Sequence, residues 1–423
     1  MRVNSRLFKD ADWLIVIAVV LIMAFGLVTL YSIEHIPDSG SGVTHRSGHF
    51  FTKQFFWAVL GLVAMLLAAA LPFRYYETTA YLFYALGLVL LGVVLLLPPV
   101  GGARRWIVVG TFHIQPSEFM KIAVIFALAR FLAEKRSNPN RFRVLAISSL
   151  ITAVPFLLIV KEPDLGTALV LPAILITVLY WRGLNENSLL FLITPIVSAF
   201  LTIYSERALS GRRYPYPLLL FFLFILFLAY RRRDQIFRSL VLVSINLGTM
   251  LLVPVFWERL KIYQQRRILA FLRPESDILH AGWQVYQSKV AIGSGGFFGK
   301  HFLHGTQKLL AFLPEKHSDF IFSVFTEEIG FLGALIILVL FAVIVIRGIY
   351  LSTRVKNRFA SIAAIGISSY FAFHVCVNIG MTLGLAPVTG LPLPFMSYGG
   401  SSMLVSAFLA GVLLNFSMRF YEY

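Results

Sequence analysis

Glu118 and Lys121 stand three residues apart in an otherwise apolar run, the spacing at which an acid and an amine share a helix face and can pair. Arg104, Arg105 and Trp106 come shortly before them, then Gln115-Pro116-Ser117. Proline suits a first helical turn and serine can cap one, so a helix start is expected there. A cap beside an interfacial tryptophan explains part of this pattern; two adjacent arginines and an ion pair are more than a cap needs. Asp164, in Lys161-Glu162-Pro163-Asp164, precedes another apolar run, where a helix dipole favours a carboxylate as a cap or as a functional acid. Asp319 follows His317 and Ser318 and directly precedes Phe320-Ile321-Phe322. A carboxylate there can cap the helix, or take a proton from a sugar or water hydroxyl as a general base. Glu327 and Glu328, two turns further on, are not expected to face lipid.

Two further stretches carry polar residues. Residues 257–319 contain Gln287-Ser288-Lys289, Gly293-Ser294-Gly295-Gly296, Gly299-Lys300 and Gly305-Thr306-Gln307. Glycines with lysines can wrap an anion with backbone N–H groups, although their spacing is not that of a nucleotide-binding loop and flexible turns give the same pattern. Residues 386–402 run from Ala386-Pro387 through Pro392-Leu393-Pro394 to Ser397-Tyr398-Gly399-Gly400-Ser401-Ser402. Such a stretch is either an ordinary loop or, at membrane depth, must be buried in protein or line a cavity.

The elements that position these residues are apolar and long. Hydrophobic residues make up 58% of the 423 and charged residues 13%, about half the usual share in a soluble domain. Apolar segments fall at about 13–31, 55–71, 80–98, 118–132, 145–160, 165–181, 189–204, 217–230, 240–256, 320–346, 361–380 and 401–416. The expected fold is an all-α polytopic transmembrane bundle of about twelve helices, with the whole chain, 1–423, one integral membrane domain. The first run is too long for a signal sequence and reads as a retained helix. The net charge of +17 reflects basic residues in short loops, not a nucleic-acid surface, because no basic run carries interleaved aromatics. Cys376, the sole cysteine, is expected to be a packed, inert thiol in an apolar helix.

Arg2, Arg6 and Lys9, residues 135–143, 231–238 and 347–358 all fall on one side if the N-terminus is cytoplasmic, and both termini are then cytoplasmic. Arg104, Arg105, Arg207, Arg212, Arg213 and the large extracytoplasmic loop 257–319 then lie outside, where topology disfavours basic charge. That placement suits an anionic ligand such as a phosphate.

Together these residues resemble the SEDS family (shape, elongation, division and sporulation), specifically its RodA branch. Four motifs occur in the same order and spacing, over nearly the whole chain apart from 189–230. Pro274-Glu275-Ser276-Asp277, Ala291-Ile292-Gly293-Ser294-Gly295-Gly296 and His304-Gly305-Thr306-Gln307 look like that branch. Asp319 matches the family's essential aspartate in His-Thr-Asp-Phe, with Ser318 in place of threonine. Arg105, Trp106, Glu118 and Lys121 match its second outer loop and Gln-Pro-Ser-Glu helix start, Asp164 its Pro-Asp-Leu-Gly-Thr motif, and Ser397, Tyr398 and Ser401 its Ser-Tyr-Gly-Gly-Ser-Ser motif. The family commonly has ten helices, which makes 189–230 an inserted helical pair, and it usually has glutamate where Ala311 stands.

The resemblance implies a peptidoglycan glycosyltransferase that polymerises lipid II on the outer face of the bacterial cytoplasmic membrane during cell-wall elongation, releasing undecaprenyl pyrophosphate. Asp319 is then the expected general base. Arg105, Trp106, Glu118, Lys121, Asp164, Gln287, Ser288, Lys289, Lys300, His317, Ser397, Tyr398 and Ser401 are expected substrate-site residues. Arg105, Lys121, Lys289 and Lys300 are the candidates for the pyrophosphate. The implied partners are lipid II, undecaprenyl-pyrophosphate-linked glycan, a class B penicillin-binding protein and the bilayer. No cofactor is required by this reading, which leaves room for a divalent cation, magnesium or manganese, but assigns no metal ligand. The rival is a transporter that flips lipid II without chemistry; it would place its charges near the bilayer midplane on broken helices.

Overall fold

The computed structural model describes residues 11–35, 49–99, 103–110, 112–134, 137–205, 216–231, 236–260, 262–272, 281–306 and 317–419. Arg2, Arg6, Lys9, Arg207, Arg212, Arg213, residues 274–277, Gln307 and Ala311 lie outside them.

Each of the twelve apolar segments lies on a helix, overrunning its ends by two residues at most. In chain order these are α1 (Trp13–Glu34), α2 (Phe50–Ala70), α3 (Phe73–Leu96), α4 (Pro116–Ala133), α5 (Phe142–Lys161), α6 (Leu165–Trp181), α7 (Glu186–Ile203), α8 (Tyr216–Arg231) and α9 (Ile236–Arg259). Then come α10 (Ile262–Leu272) and α11 (Ala281–Ser294), and after them α12 (Ile321–Arg354), α13 (Arg358–Thr382) and α14 (Gly400–Met418). Among the described residues, eight helices are long and apolar enough to cross a membrane. α10 and α11 occupy stretches of 257–319 whose hydrophobic pattern does not announce them. A two-stranded antiparallel hairpin, β1 (Ile107–Val109) with β2 (Phe112–Ile114), precedes α4.

The chain clusters into two compact units, residues 1–183 with 284–423, and residues 184–283. In the second, α7 packs on α9 and α8 on α9. A buried amide pins α7 to α9: Asn246 Nδ2 donates to Thr194 Oγ1 at 3.0 Å, and Ser198 Oγ donates to Asn246 Oδ1 at 2.6 Å. In apolar surroundings a fully partnered amide of this kind fixes register.

The first unit is built on α13, α14 and α4, whose residues are buried almost throughout. α13 packs on α12, α6 and α4, and α14 on α2. Many outward positions on α1, α2 and α3 are large and apolar, among them Leu82, Leu86 and Val89, as expected where lipid is the neighbour. Cys376 is an exposed position on the otherwise largely buried α13, which corrects the expectation of a packed thiol. The apolar character of its helix is satisfied by lipid as well as by protein, so hydropathy alone does not tell the two faces apart.

α12 is broken at Gly330, where φ is 79° and ψ −168°, a conformation essentially restricted to glycine. The break is closed by the loop after α11. Phe331 N–H donates to the Gly296 carbonyl at 3.0 Å, Leu332 N–H to Phe297 at 3.3 Å, and Lys300 N–H to the Glu327 carbonyl at 2.9 Å. Irregular backbone inside a membrane protein survives when protein groups take over its hydrogen bonds in this way.

Candidate functional site

The turn 317–320 that carries Asp319 is held by its backbone. Three successive carbonyls each accept a hydrogen bond: His317 from Tyr398 N–H at 2.9 Å, Ser318 from Ser397 Oγ at 2.7 Å, and Asp319 from Asn378 Nδ2 at 3.1 Å. Ser397 Oγ also accepts from Leu393 N–H, and Asn378 Nδ2 also donates to the Leu391 carbonyl at 2.7 Å. The proline- and glycine-rich stretch 386–402 therefore serves as the cradle of this turn. Gln54 of α2 braces it from the other side, donating to the Ser397 carbonyl and accepting from Gly399 N–H. The His317 ring stacks on Phe50 with centroids 4.1 Å apart and meets Tyr398 edge-on. Burial, then the charge of Glu34, pushes the Tyr398 phenol up, so it stays neutral. Asp319 is partly exposed, and its backbone is fixed by these bonds.

The same stretch receives the start of α6. Gly166 lies so close to the Thr389 carbonyl that a Cβ would meet it at 2.5 Å. Asp164 caps α6, Oδ1 accepting from Thr167 N–H at 3.2 Å, while Oδ2 accepts from Gln115 Nε2 at 2.6 Å. Gln115 in turn donates its backbone N–H to Ser401 Oγ. Asp164 is thus a helix cap that is also linked through Gln115 to Ser401.

Deeper in α4, Lys121 and Glu118 form the expected pair at 2.7 Å, both buried. Lys121 Nζ also lies 3.2 Å from His374 Nε2, whose Nδ1 faces the Pro392 carbonyl at 3.1 Å. The ion pair is therefore linked to the cradle through α13. Glu118 Oε2 has no hydrogen-bond partner among the described residues.

Other expected site residues have structural partners. Ser288 Oγ bonds Ser323 Oγ and the Thr382 carbonyl and so anchors α11, and the adjacent Gln287 is buried. Lys300 pairs with Glu327 at 2.9 Å, and the same carboxylate oxygen accepts from Thr306 N–H and Oγ1. Glu328 accepts from Ser32 at 2.5 Å. Glu327 and Glu328 are buried, as expected, and the charges flanking the Gly330 break are engaged internally. Lys289 is exposed, its chain running past Gly384. Arg105 and Trp106 precede the hairpin, the guanidinium 5.8 Å from the indole centroid. Among the described residues no three His, Cys, Asp or Glu side chains gather as a metal site.

Asn378, His374 and Gln54 were not singled out from sequence. The available signal was their polarity inside apolar helices, with His374 and Asn378 four residues apart on one face of α13.

A family model described as "Cell cycle protein", FtsW/RodA/SpoVE, matches residues 12–214 and 216–422. The chain belongs to this family. It is 35% identical to the peptidoglycan glycosyltransferase RodA of Treponema pallidum, over 99% of this chain and all of that one. It is 34% identical to stage V sporulation protein E of Bacillus subtilis, with 96% of each chain covered. Against the peptidoglycan glycosyltransferase MrdB of Escherichia coli K12 it is 36% identical, over 84% and 82% of the two chains. Among solved structures, RodA of Thermus thermophilus superposes with a TM-score of 0.61 at 26% identity, covering 97% of this chain and 98% of that one. A chain from a study of how a peptidoglycan synthase complex coordinates polymerization and crosslinking gives 0.69 at 28%, covering 98% and 99%. This family member is a multi-pass membrane glycosyltransferase.

Proposed function

We propose that this protein polymerises lipid II into glycan strands on the outer face of the bacterial cytoplasmic membrane during cell-wall elongation, with Asp319 as general base. The observation that supports the reading is the Asp319 turn, a partly exposed residue whose neighbouring carbonyls are fixed by Tyr398 and Ser397 of the cradle and by Asn378 of α13. In the reaction, Asp319 takes the proton of the acceptor sugar's hydroxyl as that oxygen attacks the anomeric carbon of the donor. The bond from that carbon to the pyrophosphate oxygen breaks, and undecaprenyl pyrophosphate leaves with the electron pair. A positioned base contributes typically about 10²–10⁴-fold. Basic groups of the outer segments stabilise the charge that develops on the leaving group.

A class B penicillin-binding protein is the proposed partner that crosslinks the new strand. The rival, a lipid II transporter without chemistry, gains one feature in the broken α12. Beside that break Lys300 pairs with Glu327 and Glu328 accepts from Ser32, so these groups are occupied in holding the fold and not in passing a lipid headgroup. The test is polymerisation of labelled lipid II by the purified protein with its cognate penicillin-binding partner, beside Asp319→Ala. Strands from wild type and none from the folded variant are expected. Strands of wild-type length and yield from the variant would remove Asp319 from the reaction. No strands from wild type, with lipid II still crossing a liposome bilayer, would replace the enzyme by a transporter.

A further inference from the structure

One acid beside the site is used by nothing described so far. Glu162 caps the C-terminal end of α5, is fully buried, and neither carboxyl oxygen has a hydrogen-bond partner among the described residues. Asp164, two residues on, contrasts with it: both its oxygens are occupied, by Thr167 N–H and Gln115 Nε2. The charged groups that act on Glu162 are Asp164, at the start of α6, and Arg105, before the hairpin. Lys161, its neighbour in sequence, is exposed. Arg105 offers the complement: its Nε is buried and has no hydrogen-bond partner among the described residues. Buried polar groups are almost always satisfied, so an orphaned acid and an orphaned guanidinium nitrogen in one neighbourhood point to a ligand that completes both.

The protonation of the acid decides which ligand. Burial first, then the like charge of Asp164, pushes the Glu162 carboxyl up to about 9, against the pull of Arg105. At neutral pH it is an O–H donor, not an anion. A guanidinium N–H and a carboxylic O–H are both donors, and one cationic and one neutral donor together suit an oxyanion.

We propose that Glu162 and Arg105 form a seat for the pyrophosphate of a polyprenyl pyrophosphate, with Glu162 working as a neutral acid that donates a hydrogen bond to a phosphate oxygen. This rests on the lipid-linked glycosyl transfer proposed above. No proton needs to move: as the sugar–oxygen bond breaks, charge builds on the phosphate oxygen and the hydrogen bond strengthens in place.

The experiment uses the full-length protein in detergent, and the probe is undecaprenyl pyrophosphate. Its Kd is measured for wild type, Glu162→Gln, Glu162→Ala and Arg105→Ala at about pH 7 and about pH 10, with phosphatidylglycerol as a competing anionic lipid. A tenfold or greater loss is expected for Glu162→Ala and for Arg105→Ala, on the scale of charge-assisted hydrogen bonds. Glu162→Gln keeps a donor and loses at most a few-fold at neutral pH. Wild type binds more weakly at the higher pH because the acid becomes an anion facing a phosphate; Glu162→Gln shows less of this fall. Thermal unfolding gives a readout that needs no ligand. The acid is neutral when folded and ionised when unfolded between its ordinary value of 4.5 and about 9, so rising pH favours the unfolded state. The wild-type midpoint therefore falls across that window relative to Glu162→Gln.

Wild-type affinity in Glu162→Ala overturns the proposal. So does equal loss in the glutamine and alanine variants, which would require the ionised acid, or displacement by phosphatidylglycerol, which would make this a general anionic-lipid patch. Should the alanine variant not fold, the pH comparison of wild type with Glu162→Gln decides. A wild type that binds the probe but polymerises no lipid II would sink the reaction and leave the seat; polymerisation with no dependence on Glu162 would sink the seat alone.

Discussion

Asn378→Ala tests whether the Asp319 turn is held for catalysis. The amide donates to the Asp319 carbonyl at 3.1 Å and the Leu391 carbonyl at 2.7 Å, and the residue is fully buried. Alanine leaves both acceptors without that donor. A buried unsatisfied group costs roughly 1–3 kcal/mol, and the turn is only partly buried, so a stability loss of about 2–3 kcal/mol is expected. If half of this appears as misplacement of the carboxylate in the transition state, kcat falls about tenfold, since about 1.4 kcal/mol is a factor of ten. The control is Asn415→Ala. Asn415 is equally buried and its amide donates to the Ala68, Ala69 and Leu71 carbonyls, but it lies fourteen residues along α14 from Ser401, about 21 Å of helix. It should lose comparable stability with kcat intact. Thermal unfolding in detergent and initial rates of lipid II polymerisation read the two quantities. Equal kcat in both variants at equal loss of stability would refute the positioning argument.

Lys121→Met strands the buried Glu118 and should cost about 3–5 kcal/mol, most of it recovered by adding Glu118→Gln; expression level and thermal midpoint check this. Gly330→Ala places a Cβ against the Phe297 carbonyl in a conformation alanine avoids, and should lower the midpoint by the equivalent of about 1–3 kcal/mol or more. Asp319→Ala should abolish strand formation without lowering the midpoint by a comparable amount.

The membrane bundle was legible because bilayer burial writes itself into long apolar runs, and all twelve became helices. The Glu118–Lys121 pair was legible because three-residue spacing on a helix fixes geometry. What hydropathy cannot register is a partner arriving from elsewhere in the chain. Residues 320–346 read as one continuous run, yet α12 breaks at Gly330 because a loop some thirty residues upstream supplies the missing hydrogen bonds. The hairpin escaped notice because its strands are three residues each. Lys300 and Ser288 stand out in the sequence only by motif; their partners on α12 and α13 are not revealed by sequence order.

The break also divides labour along α12. Beyond Gly330 the twenty-four residues 331–354 measure about 36 Å, enough to traverse a bilayer unaided. The nine residues before it, 321–329, are an arm about 14 Å long with the Asp319 turn at its tip. Gly296 and Phe297 hold Phe331 and Leu332 at the head of the rod, and Lys300 holds Glu327 of the arm, so the loop splints the two across the break. Parting them would leave three backbone pairs unmade at several kcal/mol per group in lipid.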